Sequence, residues 1–151
     1  MIKIICVGKI KEKYLMDAIN EYKKRLQRYT KLEIIEVSDE SYDDIEKVKV
    51  KEAEKINKYI DDKDYVITLE IEGKEISSLE LSKKIEDTLI ENSNISFIIG
   101  GSYGLSDKIK ERSNYHLSFS KMTFPHQLFR VLLLEQIYRS FKIINNESYH
   151  K

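Results

Sequence analysis

Apolar and polar positions along this chain switch repeatedly between two patterns. The first apolar run, "IKIICVG", is nearly unbroken, and Leu15, Ala18, Ile19, Tyr22 and Leu26 then recur at intervals of three or four in "YLMDAINEYKKRLQRY". A short continuous run followed by a 3.6-residue period predicts a buried strand and then an amphipathic helix. "LEIIEV" predicts a second strand. The charged stretch "DDIEKVKVKEAEKINKYI" carries Ile45, Val48, Ala53, Ile56 and Ile60 as a thin apolar stripe, which predicts a surface helix. "YVITLEI" predicts a third strand ending near Gly73, and "SSLELSKKIEDTLIE" a helix with serine N-cap candidates. "ISFIIGG" predicts a fourth strand ending on paired glycines, "LSDKIKERS" a short helix and "HLSFS" a fifth strand. A last helix fills most of residues 125 to 144.

Strands that alternate with helices predict a three-layer α/β/α domain with a mainly parallel sheet, because parallel neighbours need helical crossovers. Ligands of such sheets sit beyond the carboxyl ends of the strands. The loops after strands three, four and five, in "LEIEG", "GGSYGLS" and "SKMTFPH", are therefore where chemistry is expected.

A length of 151 residues suits one domain, residues 1–151, with no Pro/Gly/Ser-rich linker inside it. No apolar stretch reaches the roughly 20 residues that span a bilayer. The opening run lacks the basic flank and small-residue cleavage site of a secretory signal, so a cytoplasmic location with no membrane partner is expected. Cys6, the only cysteine, sits among Ile4, Ile5 and Val7 and reads as a small buried hydrophobe.

Formal net charge is zero, but its distribution is uneven: residues 1–31 carry nine Lys/Arg against three Asp/Glu, and residues 108–151 carry eight against three. If these basic ends meet in space they form one positive face suited to phosphates; ordinary solvated helix faces are the plainer reading.

Three stretches carry candidate chemistry. Gly100, Gly101 and Gly104 form G-G-x-x-G, which matches neither a dinucleotide fingerprint nor a phosphate loop. Such glycines let backbone amides approach a flat ligand, and they equally suit a tight turn. The second stretch surrounds Pro125, the only proline. Proline suits a first helical turn, with Thr123 as N-cap, and His126 then lies where the helix dipole favours a neutral ring. Arg130, four residues on and among Leu133, Leu134 and Ile137, needs an anionic partner. The helix is apolar on nearly every side, which predicts burial against both the sheet and a second subunit, and Glu135 and Arg139 form an i, i+4 pair on it. The third stretch is the end of the chain, where Tyr149, His150 and Lys151 offer a ring, a group titrating near neutrality and a cation. On composition such an end reads as a frayed tail.

Taken together, "TLEIEGKEISS", "FIIGGSYGLS", "RSNYHLSFSKMTFPHQLFRVLLLEQIYRSFKI" and the terminal "YHK" resemble the bacterial SPOUT-class family that methylates N3 of a pseudouridine in 23S ribosomal RNA. The likeness runs over essentially the whole chain. It implies a C-terminal trefoil knot, a homodimer, S-adenosylmethionine as cofactor, no metal, and 23S rRNA within the assembled ribosome as substrate. It also implies cofactor contacts at Leu69, Gly100, Phe119, Ser120, Lys121, Met122, Thr123 and Phe124. For the chemistry itself, the residues suggest Glu135, Arg139, Tyr149 and His150 as the catalytic group, with His150 or the Glu135/Arg139 pair handling the N3 proton and Tyr149 stacking on the base; Lys151, Arg130 and Arg139 are expected at RNA phosphates and His126 beside the cofactor loop. Tyr103 departs from the small amide or acid common in the family. A non-catalytic ribosome-assembly factor and a flavodoxin-like nucleotide-binding module are the competing readings.

Overall fold

The computed structural model describes residues 1–151. Five strands and five helices alternate: β1 (Ile2–Val7), α1 (Lys13–Leu26), β2 (Leu32–Val37), α2 (Ile45–Asn57), β3 (Tyr65–Glu75), α3 (Ser78–Glu91), β4 (Ile95–Ile99), α4 (Asp107–Arg112), β5 (Tyr115–Ser118) and α5 (His126–Ile144). The strands form one sheet in the order β2-β1-β4-β3-β5, and every pairing is parallel. Strands buried on both faces explain the unbroken runs, and β1 and β4 have no exposed residue.

Alternate strand residues feed two cores. On one face Ile4, Phe97 and Ile67 pack with Ile19 of α1, Ile85 of α3 and Leu133, Leu134, Ile137 and Phe141 of α5. On the other, Ile5, Val66 and Ile98 pack with Ala53 and Ile56 of α2 and Ile109 of α4. The three-helix layer is the thicker one, and α5 lies in it against both α1 and α3. Those two helices cover most of the apolar surface that the sequence assigned to a partner subunit. Leu128, Val131 and Leu132 remain only partly covered, with Leu128 38% exposed.

Two element ends differ from expectation in ways that shape the site. β3 continues through Gly73 to Glu75, and its register on β5 shifts between Leu69 and Lys74. Gly73 permits this: a Cβ there would sit 2.8 Å from the Leu117 carbonyl carbon and 2.9 Å from that of His116. At α5, Thr123 does not cap; Pro125 itself is the N-cap residue, with extended backbone (φ −55°, ψ 127°) and no side-chain cap. Its carbonyl accepts the first helical bond, from Phe129 N at 2.9 Å. Proline still ends the loop sharply, one position earlier than a first-turn placement.

Candidate active site

The loops after β3, β4 and β5 converge on a cleft at the carboxyl end of the sheet, where ligands of parallel sheets sit. Leu69, Gly100, Phe119, Ser120, Met122, Thr123 and Phe124 all line it. Lys121 does not, and it is exposed. The loop after β5 is tied down at both levels of packing and hydrogen bonding. Phe129 of α5 gathers Phe119 and Phe124, with ring centroids 4.8 and 6.1 Å away. Ser118 Oγ donates to the Ile71 carbonyl at 2.9 Å, and Met122 N donates to Ser120 Oγ at 3.0 Å. Gly100 is required sterically, since a Cβ there would fall 2.8 Å from the Gly104 carbonyl carbon. Gly104 has φ +83°, a left-handed conformation that side chains disfavour.

His126 also faces this cleft. Burial first, and then the charge of Arg130, hold its pKa below the ordinary imidazole value, so the ring is kept neutral. The helix dipole invoked from sequence acts in the same direction.

Arg130 corrects an expectation. It is 1% exposed, so it offers nothing to an RNA phosphate. The anionic partner it needs is Glu36 of β2, whose Oε2 accepts from Arg130 Nη1 at 2.7 Å. Arg130 Nη2 donates to the Val7 and Gly8 carbonyls at 2.9 and 2.6 Å, and Glu36 also accepts from Ile10 N. Arg130 thus fastens the β1–α1 turn, where Gly8 has φ +92°, beneath the start of α5.

The end of the chain is packed rather than frayed. After α5, Asn146 adopts φ 54° and turns the chain back along the helix. Glu147 accepts from Tyr29 Oη at 2.8 Å and from Lys142 Nζ at 3.2 Å, anchoring the turn. Glu135, Arg139, Tyr149 and His150 then form one cluster. Glu135 Oε1 accepts from Arg139 Nε at 2.8 Å and Glu135 Oε2 from Tyr149 Oη at 3.0 Å. Arg139 lies over the Tyr149 ring, and Tyr138 meets that ring edge-on at 5.0 Å. Arg139 Nη1 is 3.1 Å from His150 Nδ1. A guanidinium only donates, so Nδ1 is the acceptor and the ring proton belongs on Nε2. Burial, then the bond to Glu135, push the Tyr149 hydroxyl up to about 12. It therefore stays a donor at neutral pH. Lys151 is exposed beside the cluster.

The basic ends do meet. α1 and α5 pack together, and Arg25 lies 5.5 Å from the centre of the Tyr138 ring while Lys142 reaches the Tyr29 ring. Arg28 lies over the same Tyr29 ring, and Glu147 pairs with Lys142 there.

Sequence reasoning missed two polar groups. Glu70, one residue past Leu69, accepts from Thr68 Oγ1 at 2.6 Å and pairs with His116 of β5. Nothing in the pattern singled it out. Glu52 of α2 is 4% exposed beneath the glycine loop and accepts from Glu40 N at 3.0 Å. It stands between Val48 and Ile56 at four-residue spacing, a carboxylate on the apolar stripe, and that was a readable signal.

A family profile described as "Predicted SPOUT methyltransferase" matches residues 1–150. A solved structure described as "a probable methylase family protein from Haemophilus influenzae Rd KW20" superposes with TM-score 0.59 at 17% identity, over 99% of this chain and 70% of that one. That likeness speaks to the fold. Fold and profile together define a SPOUT-class methyltransferase with S-adenosylmethionine as cofactor, and membership of that class implies its C-terminal trefoil knot. Among curated relatives, the chain is 64% identical to the "Putative ribosomal RNA large subunit methyltransferase H" of Methanococcus maripaludis and 60% identical to the "Ribosomal RNA large subunit methyltransferase H" of Clostridium botulinum. Each match covers 99% of both chains. The chain belongs to the ribosomal RNA large subunit methyltransferase H family.

The cleft fits the cofactor of this class. Its apolar walls, Leu69, Ile71, Phe124 and Phe129, suit an adenine ring, and its side-chain-free stretch at Gly100 leaves backbone groups open to polar edges.

Proposed function

We propose that this enzyme methylates N3 of a pseudouridine in 23S rRNA, acting in the cytoplasm on assembled ribosomes as a homodimer of one-domain subunits. Leu69, Gly100 and the Phe119–Phe124 loop hold S-adenosylmethionine, with Lys121 contributing backbone only. When bound, that cofactor supplies an already activated methyl group, which leaves the protein to align the acceptor and deal with its N3 proton.

The observation that carries this reading is the separation of two prepared regions on α5. His126 faces the cofactor cleft, but Glu135 and Arg139 lie nine and thirteen residues further on, about 13 and 20 Å along a helix axis. One chain therefore does not bring its tail cluster to its own cleft. A second copy, docked on the part-covered stripe of Leu128, Val131 and Leu132, supplies the tail. Within that tail both Glu135 oxygens are occupied, so Glu135 orients Tyr149 and Arg139. Tyr149 borders the target base, and His150 handles the N3 proton once Arg139 turns an N–H toward a phosphate. Lys151 and the basic side of α1 contact the RNA backbone.

The test is methyl transfer from labelled S-adenosylmethionine to ribosomes isolated from cells lacking the protein, followed by mass mapping of the nucleoside. Labelled N3-methylpseudouridine is expected in 23S rRNA. Cofactor binding without transfer would instead favour a non-catalytic assembly factor.

A further inference from the structure

Beside the cofactor cleft lies a second cleft, which the reading above leaves without a role. The two share Gly101 and His126, so anything held in the second is a neighbour of the first. Its lining is mostly polar. Glu52 is its buried polar member, and while Oε2 accepts from Glu40 N, Oε1 accepts no bond from the protein. Gly101 keeps that oxygen uncovered, since a Cβ there would sit 3.1 Å from it. At the rim, Tyr103 is 53% exposed and has no aromatic or cationic partner, unlike the rings of Tyr22, Tyr29 and Tyr149. Lys9 and Lys11 stand on the β1–α1 turn that Arg130 fastens, and neither forms an ion pair. Asp39 and Glu40 face them, with Glu40 paired to Lys55 at 2.7 Å. The cleft is not a simple anion trap. An exposed ring, a buried acceptor and two free ammonium groups at the edge are instead what an unpaired nucleotide needs: a stacking surface, a partner for base N–H groups and a backbone contact.

We propose that this cleft receives an RNA nucleotide flanking the one that is methylated, with Tyr103 stacking on its base and Glu52 accepting from its N–H edge. The proposal rests on the RNA substrate reading. Lys9 and Lys11 face the outgoing phosphates, and the shared Gly101 and His126 keep the flanking nucleotide next to the methyl donor.

The experiment measures steady-state methyl transfer to assembled ribosomes together with S-adenosylmethionine affinity by calorimetry. Tyr103→Ala is expected to raise the KM for ribosomes about tenfold, while Tyr103→Phe, which keeps the ring, restores it. Glu52→Gln preserves size and one acceptor and raises that KM severalfold. Cofactor affinity stays within about twofold of the parent in all three, as expected for groups outside the cofactor cleft. An unchanged ribosome KM, or a cofactor affinity that falls in step with it, overturns the assignment; the latter means the glycine loop was merely disturbed. If the parent enzyme transfers no methyl to ribosomes, the substrate reading itself fails first.

Discussion

The cofactor cleft and the tail cluster stand at opposite reaches of α5 and are built from different materials. The cleft is made of backbone and apolar rings on loops braced by a sheet: Gly100 for access, Phe119, Phe124 and Phe129 for shape, with His126 at the edge. The tail is made of side chains on side chains, with Glu135 holding Arg139 and Tyr149, and Arg139 in turn holding His150. A backbone-built site is complete in one chain and tolerates side-chain change where only the main chain contributes. A side-chain-built site fails with any member, and in the arrangement proposed above a second chain brings it to the cofactor.

The largest effect should come from the tail. Removing Tyr149–Lys151 is expected to lower the methyl-transfer rate by more than about a hundredfold, as loss of acid–base and positioning groups does. Calorimetry should show cofactor affinity unchanged. Mixing this truncated protein with a Gly100→Ala variant sharpens the comparison. Heterodimers then contain one intact cleft and one intact tail on different chains, and activity reappears after subunit exchange. If exchange is shown to occur and no activity returns, each tail serves its own cleft and the two-chain arrangement is wrong.

Next in size is Arg130, which sits between the two regions. Arg130→Met leaves Glu36 and the Val7 and Gly8 carbonyls without their donor. The Glu36 side chain is 34% exposed and can turn to water, so the cost falls mainly on the two carbonyls and amounts to about 1–3 kcal/mol. Urea denaturation should show the unfolding free energy falling by that amount, read as a lower midpoint with little change in slope. A loss of RNA affinity at full stability would mean that Arg130 reaches the substrate after all.

Much of this was readable in advance, and the failures have physical causes. The period switches located all ten elements, because buried parallel strands and amphipathic helices leave strong patterns. The carboxyl-end rule then selected the three loops that do form the cleft. Sheet order is set by which crossovers pass over which strand, and no local pattern records that. Arg130 shows where the inference stopped short. An arginine among leucines does need an anion, but the partner lies 94 residues away on β2, and pattern alone could not prefer a strand glutamate over a phosphate. The tail was legible only through family resemblance, since its order comes from Asn146, Tyr29 and Glu147 acting together across the fold.

Gly100→Ala tests the cleft directly. The added Cβ would meet backbone at 2.8 Å, and backbone cannot move aside as a flexible side chain can. Cofactor affinity should fall at least tenfold, consistent with overpacking costs of about 1–3 kcal/mol. His126 gives the cleft a pH signature. Because burial and Arg130 depress its pKa, the folded state binds fewer protons than the unfolded state as pH falls through the ordinary imidazole range. Stability therefore drops below about pH 6.5, and cofactor affinity drops with it as a cation forms beside a cationic ligand. His126→Gln should flatten both profiles by about half or more if this one group dominates the window. An unchanged pH slope would assign that loss to other groups.

The smallest expected effect is also the sharpest on the central contrast. Lys121 lies in the same loop as Ser120, Met122 and Thr123, yet it is exposed and does not line the cleft they line. If the loop binds through its main chain, Lys121→Ala keeps every cofactor contact, and affinity should stay within about twofold, the usual range for exposed substitutions. Methyl transfer should change little more, because the long cation is at most one of several near the RNA. A large loss of cofactor affinity would show that the loop closes its side chains over the ligand. The cleft would then depend on side chains as the tail does, and the contrast between the two regions would be one of distance alone.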